Sequence, residues 1–152
     1  MNIYLSRPGA RIPTYATSGS ACFDIYAVLD EPLSVCVGEP VIVPTGLKFD
    51  IPVGYALMIY SRSGHGFKND VRLSNCVGVI DSDYIGELMV KLTQDVDGYD
   101  KEDGTHEPFW VNHGDRIAQG MLIPVEQVTF NQVNEPPRQK TDRQGGFGST
   151  GS

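Results

Sequence analysis

Asp81 is the residue on which chemistry is most readily built. It follows the run Val77-Gly78-Val79-Ile80 and opens Asp81-Ser82-Asp83-Tyr84. A carboxylate at the end of a buried strand, set beside phosphates, can bind a metal or orient and deprotonate a water. Tyr84 offers a flat ring to pack under a sugar. Taken alone, the stretch is equally a hairpin with acidic turn residues.

Three further segments carry candidate groups. Tyr60-Ser61-Arg62-Ser63-Gly64-His65-Gly66-Phe67-Lys68 sets Arg62 and Lys68 around a Ser-Gly turn. Its N–H groups and the Ser63 hydroxyl suit a cluster of phosphate oxygens, although a basic surface turn has the same composition. His113-Gly114-Asp115-Arg116-Ile117-Ala118-Gln119 is a turn feeding a strand with polar residues at alternate positions, and by itself says little. Gly145-Gly146-Phe147-Gly148-Ser149-Thr150-Gly151 offers hydroxyls and N–H groups for phosphates and a ring to stack on a base, or is a free terminus.

Several familiar ligand patterns are missing from the sequence. There is no G-x-x-x-x-G-K-[ST] phosphate loop. His65, His106 and His113 have no zinc-ligand spacing. Asp81 to Gly86 begins like a calcium loop, but Ile85 and Leu92 stand where the fifth and twelfth ligands belong.

The elements that position these groups read as strands. Val41-Ile42-Val43, Leu47 to Ile51, Ala56 to Tyr60, Val77 to Ile80, Leu88 to Leu92, Ile117 to Val125 and Val128-Thr129-Phe130 are short apolar runs between turns. Leu47-Lys48-Phe49-Asp50-Ile51 alternates as a half-buried strand does. The 17 glycines and 10 prolines are spread along the chain and disfavour long helices, and no stretch has convincing helical periodicity. The expected fold is all-β, a sandwich, barrel or jelly roll. Gln94 to Glu107 is acidic and nearly devoid of aliphatic residues, and reads as a solvated hairpin or loop. From Asn131 onward the chain is polar and rich in Gly and Pro. The division expected is a β domain over 1–130 and a flexible C-terminal arm over 131–152.

A chain of 152 residues suits one core without disulfide or metal staples. The formal charge of −7 argues against coating nucleic acid or docking on anionic lipid. An anionic small molecule must then be met by local cations, N–H groups or a divalent metal. Cys22, Cys36 and Cys76 are scattered and odd in number, which suits buried thiols in a reducing compartment. No signal core or membrane-length apolar run is present, so a cytoplasmic protein, or one in the host-cell cytosol if viral, is expected.

Taken in order, these segments resemble the motifs of the trimeric dUTPase (dUTP pyrophosphatase) family from about Ala10 to Gly151. Ser20-Ala21-Cys22-Phe23-Asp24-Ile25-Tyr26-Ala27 resembles its first motif and Tyr60-Ser61-Arg62-Ser63-Gly64 its second. Gly78 to Glu87 resembles the third, Gly114-Asp115-Arg116-Ile117-Ala118-Gln119 the fourth, and Gly146 to Gly151 the fifth. The resemblance implies a jelly-roll-like fold, a homotrimer with shared active sites, and hydrolysis of dUTP to dUMP and pyrophosphate. It implies that Asp81 activates the water that attacks the α-phosphate. Arg62, Ser63, Gly64 and Gln119 would bind phosphates, and Asn75, Val79 and Ile80 would read uracil. Tyr84 would pack on deoxyribose, with Met89 lining the same pocket. Phe147 would stack on the base, and Arg143, Gly148, Ser149 and Thr150 would reach the phosphates. Mg²⁺ would be held mainly by substrate and water, with Asp24 near it through water. Three features depart from the family pattern: a tail spacing one residue short between Arg143 and Phe147, Cys22 where glycine is common, and the long acidic insertion over 95–107. The insertion is a solvated loop or a protein-partner site. A dCTP deaminase shares the implied fold, but Asp81, Tyr84 and the Phe147-Gly148-Ser149-Thr150 tail favour dUTPase. A nucleotide-dependent regulatory binding protein is the alternative from another class.

Overall fold

Turn residues cut the apolar runs into pieces too short for a helical core but long enough for strands. The computed structural model describes residues 1–96, 98–99 and 106–142. In chain order come β1 (Asn2–Leu5), β2 (Thr14–Tyr15), β3 (Phe23–Tyr26), β4 (Leu33–Val35) and β5 (Val41–Pro44). β6 (Leu47–Asp50) and β7 (Tyr55–Tyr60) follow, then a short helix, α1 (Ser63–Asn69), and β8 (Val71–Leu73). β9 (Val77–Ile80), β10 (Met89–Gln94), β11 (Gly98–Tyr99), β12 (His106–Glu107), β13 (Phe109–Val111) and β14 (Arg116–Pro124) complete the order.

A five-stranded sheet runs β2-β3-β14-β7-β9, and a three-stranded sheet runs β5-β10-β8. Antiparallel ribbons β1-β6, β4-β13 and β11-β12 accompany them. Ile25, Leu47, Leu57, Leu73, Leu92 and Ile117 are fully buried in one apolar cluster drawn from these sheets. Each such side chain contributes roughly 1.5–3 kcal/mol on burial, so the core holds the fold with all three cysteines free. The all-β expectation holds. No helix among the described residues is long and apolar enough to cross a membrane.

Alternation gives the large sheet two unlike faces. Phe23, Gly120, Ile59 and Gly78 lie in one cross-strand row, all buried against the core. Asp24, Gln119, Tyr60 and Val77 form the next row and turn the other way. Met121, Met58 and Val79 continue that second face, which this chain leaves partly exposed.

Three expectations are corrected. The Ser-Gly turn after Arg62 is the start of α1, although none of the helix's residues is buried. The helix has no apolar stripe, and no side chain caps its N-terminus. Arg62 is extended at the N-cap, and Asp70, left-handed at φ 51°, closes it with its N–H on the His65 carbonyl. Val128-Thr129-Phe130 is not a strand, because it has no partner strand among the described residues, and Phe130 is 90% exposed. Gln94 is no part of a solvated segment. It is buried at the end of β10, donating to the Asn69 carbonyl at 3.3 Å and accepting from the Phe109 N–H at 3.4 Å. Beyond it, Asp97 and residues 100–105 lie outside the described residues.

Gly120 is where β14 approaches most closely. A Cβ there would sit 2.5 Å from Phe23 Cε2 and 2.7 Å from Cζ. Gly120→Ala is expected to lower the urea midpoint by an amount worth about 1–3 kcal/mol, the cost of overpacking, with little change in slope.

Candidate active site

The register of β14 brings the first, second and fourth motifs together. Gln119 lies between Asp24 of β3 and Tyr60 of β7. Its Nε2 donates to the Ser61 carbonyl at 3.0 Å. Arg62 follows directly, and its Nη1 donates to the Arg116 carbonyl at 2.8 Å and faces His65 Nε2 at 2.8 Å. Arg116 Nη1 lies 3.3 Å from Asp24 Oδ2. Ser61, Arg62, Ser63, Gly66, Phe67 and Gln119 line an open depression of about 370 Å³. Gly64, in the first turn of α1, sits between two of these residues.

Burial, and then the nearby Arg116 charge, push the Arg62 guanidinium below its usual value. Burial, and then Arg62, push His65 down to about 4. His65 is therefore neutral near pH 7, and its Nε2 accepts from Arg62. Its ring packs on Phe109 at 4.9 Å between centroids.

The third motif is built elsewhere. Asp81 follows β9, which is half-exposed rather than buried as the sequence suggested, because Val77 and Val79 point away from the core. Asp81 itself is exposed, and no hydrogen bond or ion pair holds its carboxylate among the described residues. Val79, Asp81, Ser82, Tyr55 and Val125 are among the walls of a depression of about 650 Å³. The Tyr84 N–H donates to the Asp81 carbonyl at 3.2 Å, and the Tyr84 hydroxyl donates to the Glu87 carbonyl at 2.9 Å. A Cβ on Gly86 would collide with that hydroxyl and force the Tyr84 ring aside.

Glu87 fastens this loop to the β5–β6 turn. Its carboxylate accepts from Arg7 Nε at 2.7 and 2.9 Å and from the Gly46 N–H at 2.8 Å. The neighbouring Leu88 N–H donates to the Leu47 carbonyl at 2.8 Å, and Thr45 Oγ1 donates to the Leu88 carbonyl at 2.6 Å.

A third, tighter pocket of about 100 Å³ lies between β9 and β10, with Ile59, Leu73, Asn75, Gly78, Ile80 and Met89 among its walls. Asn75 and Lys91 are the polar residues among its mostly aliphatic lining. Gly78 keeps it open, since a Cβ there would lie 3.1 Å from Ile59 Cβ and 3.7 Å from Asn75 Nδ2.

These regions do not close on one another within one chain. Ile80 pairs with Leu57 and Val77 with Tyr60, so Asp81 lies at the level of Ala56. Arg62 is six residues further along β7 and its extension, roughly 20 Å at strand rise. Three linked phosphates do not span that distance. No group of three or more His, Cys, Asp or Glu side chains able to hold a metal occurs among the described residues. Asp24, with 16% side-chain exposure, is the carboxylate beside the Arg62 depression. One carboxylate fits a Mg²⁺ held mainly by phosphate oxygens and water, not a protein cage.

Of the residues expected from sequence, Arg62, Ser63, Gly64, Gln119 and Asp24 gather at one end of the sheet. Asn75, Ile80 and Met89 line the small pocket, while Val79 and Asp81 line the large depression. Arg143, Phe147, Gly148, Ser149 and Thr150 lie outside the described residues. Sequence reasoning missed Arg7, Glu87, His65 and Arg116. Nothing in the sequence links Arg7 to a residue 80 positions away.

A profile of the dUTPase family matches residues 9–151. A curated relative from Glaesserella parasuis serovar 5, a deoxyuridine 5'-triphosphate nucleotidohydrolase, is 46% identical over 142 residues, covering 92% of this chain and 87% of the relative. The solved structure of Staphylococcus bacteriophage 80alpha dUTPase with dUPNHPP matches with a TM-score of 0.81 and 26% identity, over 99% of this chain and 98% of that one. The dUTPase of phage phi11 of S. aureus, described with a structural Mg(II) ion, is 23% identical and shares the fold at a TM-score of 0.75, over 90% of this chain and 98% of that one.

Glu87 links the third-motif loop to pH. Burial pulls its carboxyl upward, but the hydrogen bonds from Arg7 and Gly46 and the Arg7 charge outweigh it and leave it below the usual carboxylate value. The stability it contributes is present above its unfolded value and lost as pH falls through the folded one. Glu87→Gln is expected to melt a few degrees lower than the parent at pH 7. That gap should narrow in thermal scans below the carboxylate range, where the parent's Glu87 is protonated.

Proposed function

The chain belongs to the dUTPase family and hydrolyses dUTP to dUMP, and we propose that it does so in a site that no single chain completes. The observation that carries this reading is the separation along β7. Arg62 stands roughly 20 Å along the strand from Asp81, and Gln119, level with Tyr60, roughly 13 Å from it. A second copy that brings its Asp81 to the Arg62 depression joins them.

A homotrimer supplies such copies. The outward face carrying Met58, Met121, Val77 and Val79 is apolar and partly exposed, as a surface buried between copies would be. The stretch after β14 leaves the domain with Val128 and Phe130 exposed, which also suits contact with a neighbour.

In this reading Asp81 orients a water and takes its proton as the oxygen attacks the α-phosphorus. The bond to the β-phosphate oxygen breaks, and pyrophosphate leaves. Arg62, Ser63, Gly64 and Gln119 bind the phosphates, concentrating positive potential in a chain whose net charge is −7. Burial of Arg62 strengthens its attraction for an anion by lowering the local dielectric. Mg²⁺, when bound, neutralises phosphate charge, and Asp24 is the carboxylate placed to accept from its water shell.

The pocket between β9 and β10 takes the base. In this reading Asn75 and the backbone at Val79 and Ile80 meet uracil's polar edge, and a thymine methyl is excluded sterically by the close walls at Gly78 and Ile59. Tyr84 packs on the deoxyribose, and Met89 completes the wall. A deaminase acting on dCTP is not favoured by the family match.

Asp81→Asn is expected to reduce turnover by about 10²–10⁴-fold while dUTP binding survives, measured by pyrophosphate release and by calorimetric titration. Near-parental turnover would remove Asp81 from the mechanism. Mixing Asp81→Asn with Arg62→Gln chains and refolding them together separates shared from private sites. Random trimers should regain activity at about a quarter of their sites, because each site draws the two residues from different copies. Sites private to one chain would regain none.

A further inference from the structure

Arg72 stands between the acidic segment and the base pocket, outside the five motifs in which the sequence resembles the dUTPase family. Val71 and Leu73 on either side of it are buried, so alternation turns Arg72 outward from β8. It pairs in register with Thr93, which sets its side chain diagonally across from Asp95. Asp95 grips one edge of the guanidinium with both oxygens, at 2.6 Å to Nε and 2.8 Å to Nη2. That fork fixes the plane of the group and turns Nη1 toward the next turn of chain.

The turn it meets is the one that carries Asn75. Nη1 donates to the Leu73 carbonyl at 3.1 Å, lies 3.5 Å from the Ser74 carbonyl and touches Cys76 Sγ at 3.9 Å. The Leu73 carbonyl also accepts from the Cys76 N–H at 3.1 Å, closing the turn. Cys76 is left-handed at φ 64°, a conformation that a non-glycine residue holds only when its surroundings impose it. Asn75 lies at the centre of this turn and reaches toward Gly78 in the base pocket.

As a surface ion pair, with side chains 40% and 47% exposed, Arg72–Asp95 adds little to stability. Its geometry is nevertheless specific. One edge of the guanidinium is held by a residue of the acidic segment, and the remaining nitrogen is spent on the turn.

We propose that Arg72, fixed by Asp95, is a positioning residue for base selection: it holds the Ser74–Cys76 turn, and with it Asn75, in the shape that the base pocket requires. The proposal rests on the reading of that pocket as the uracil site. It makes the first residues of the acidic segment part of substrate selection, since Asp95 enters it directly after β10.

Steady-state kinetics on the full-length chain with dUTP, dTTP and dCTP test this. Asp95→Asn and Arg72→Lys should each raise KM for dUTP by about 3- to 10-fold, the range that a lost or misplaced hydrogen bond gives. Each should narrow the preference for dUTP over dTTP, with kcat changed by less than about 2-fold because no group on the phosphates moves. Lysine retains the charge but cannot span both partners, so it should not rescue. The double variant should be no worse than either single, because the two residues act as one unit. Unchanged KM and selectivity in both singles would overturn the proposal. So would a fall in kcat and melting temperature with KM intact, which marks a structural pair only. Asn75→Ala is the control. If it raises KM while Asp95→Asn does not, the clamp fails and the pocket reading stands. If it leaves KM unchanged, the pocket reading fails and takes the clamp with it.

Discussion

β14 is hydrogen-bonded on both sides, to β3 and to β7, and the Arg62 end of the candidate site hangs on that double register. It sets Gln119 beside Asp24 and Tyr60 and places Arg62 just past the end of β7. It also sets Gly120 against the Phe23 ring, where no side chain fits. A slip of one residue on either side would send Gln119 into the core and Gly120 to the surface. The bulge between Arg116 and Ala118 lies at the strand's start, where it leaves the Arg116 carbonyl to take the Arg62 guanidinium.

Anion binding in an acidic protein is then a matter of local arrangement. Arg62 is partly desolvated and shares one nitrogen between the Arg116 carbonyl and a neutral His65. Arg116 answers the Asp24 carboxylate. The cations are thus held by carbonyls and an imidazole, and only Asp24 among these partners carries a negative charge. Asp81 is exposed and free of partners among the described residues.

The loops that carry the other groups are held by long-range contacts rather than by propensity. Glu87 collects Arg7 and Gly46 and so fixes the Asp81–Tyr84 loop on the far sheet. Gln94 bridges the end of α1 to β13, which keeps the Arg62 end of the site on the core. These contacts leave the apolar face of the large sheet and the chain after β14 partly uncovered.

How much was legible in the sequence follows from the range of the interactions. Alternation along Leu47 to Asp50 and the turn residues around it determined the strands, because a strand's period of two is written in neighbouring residues. The ordered motifs around Asp24, Arg62, Asp81 and Gln119 determined the family and the chemistry. Asp81 was correctly placed at a strand end, but β9 is only half-buried. The helix at Ser63–Asn69 was invisible, because it carries no apolar stripe and no side chain caps its N-terminus. Val128 to Phe130 had the composition of a strand and lacks a partner strand among the described residues. The pairing of Arg7 with Glu87, the fork of Arg72 on Asp95, and above all the distance between Asp81 and Arg62 were decided by tertiary structure alone. They depend on which strands pair and in what register, and that is fixed by burial of the whole core rather than by any residue's near neighbours.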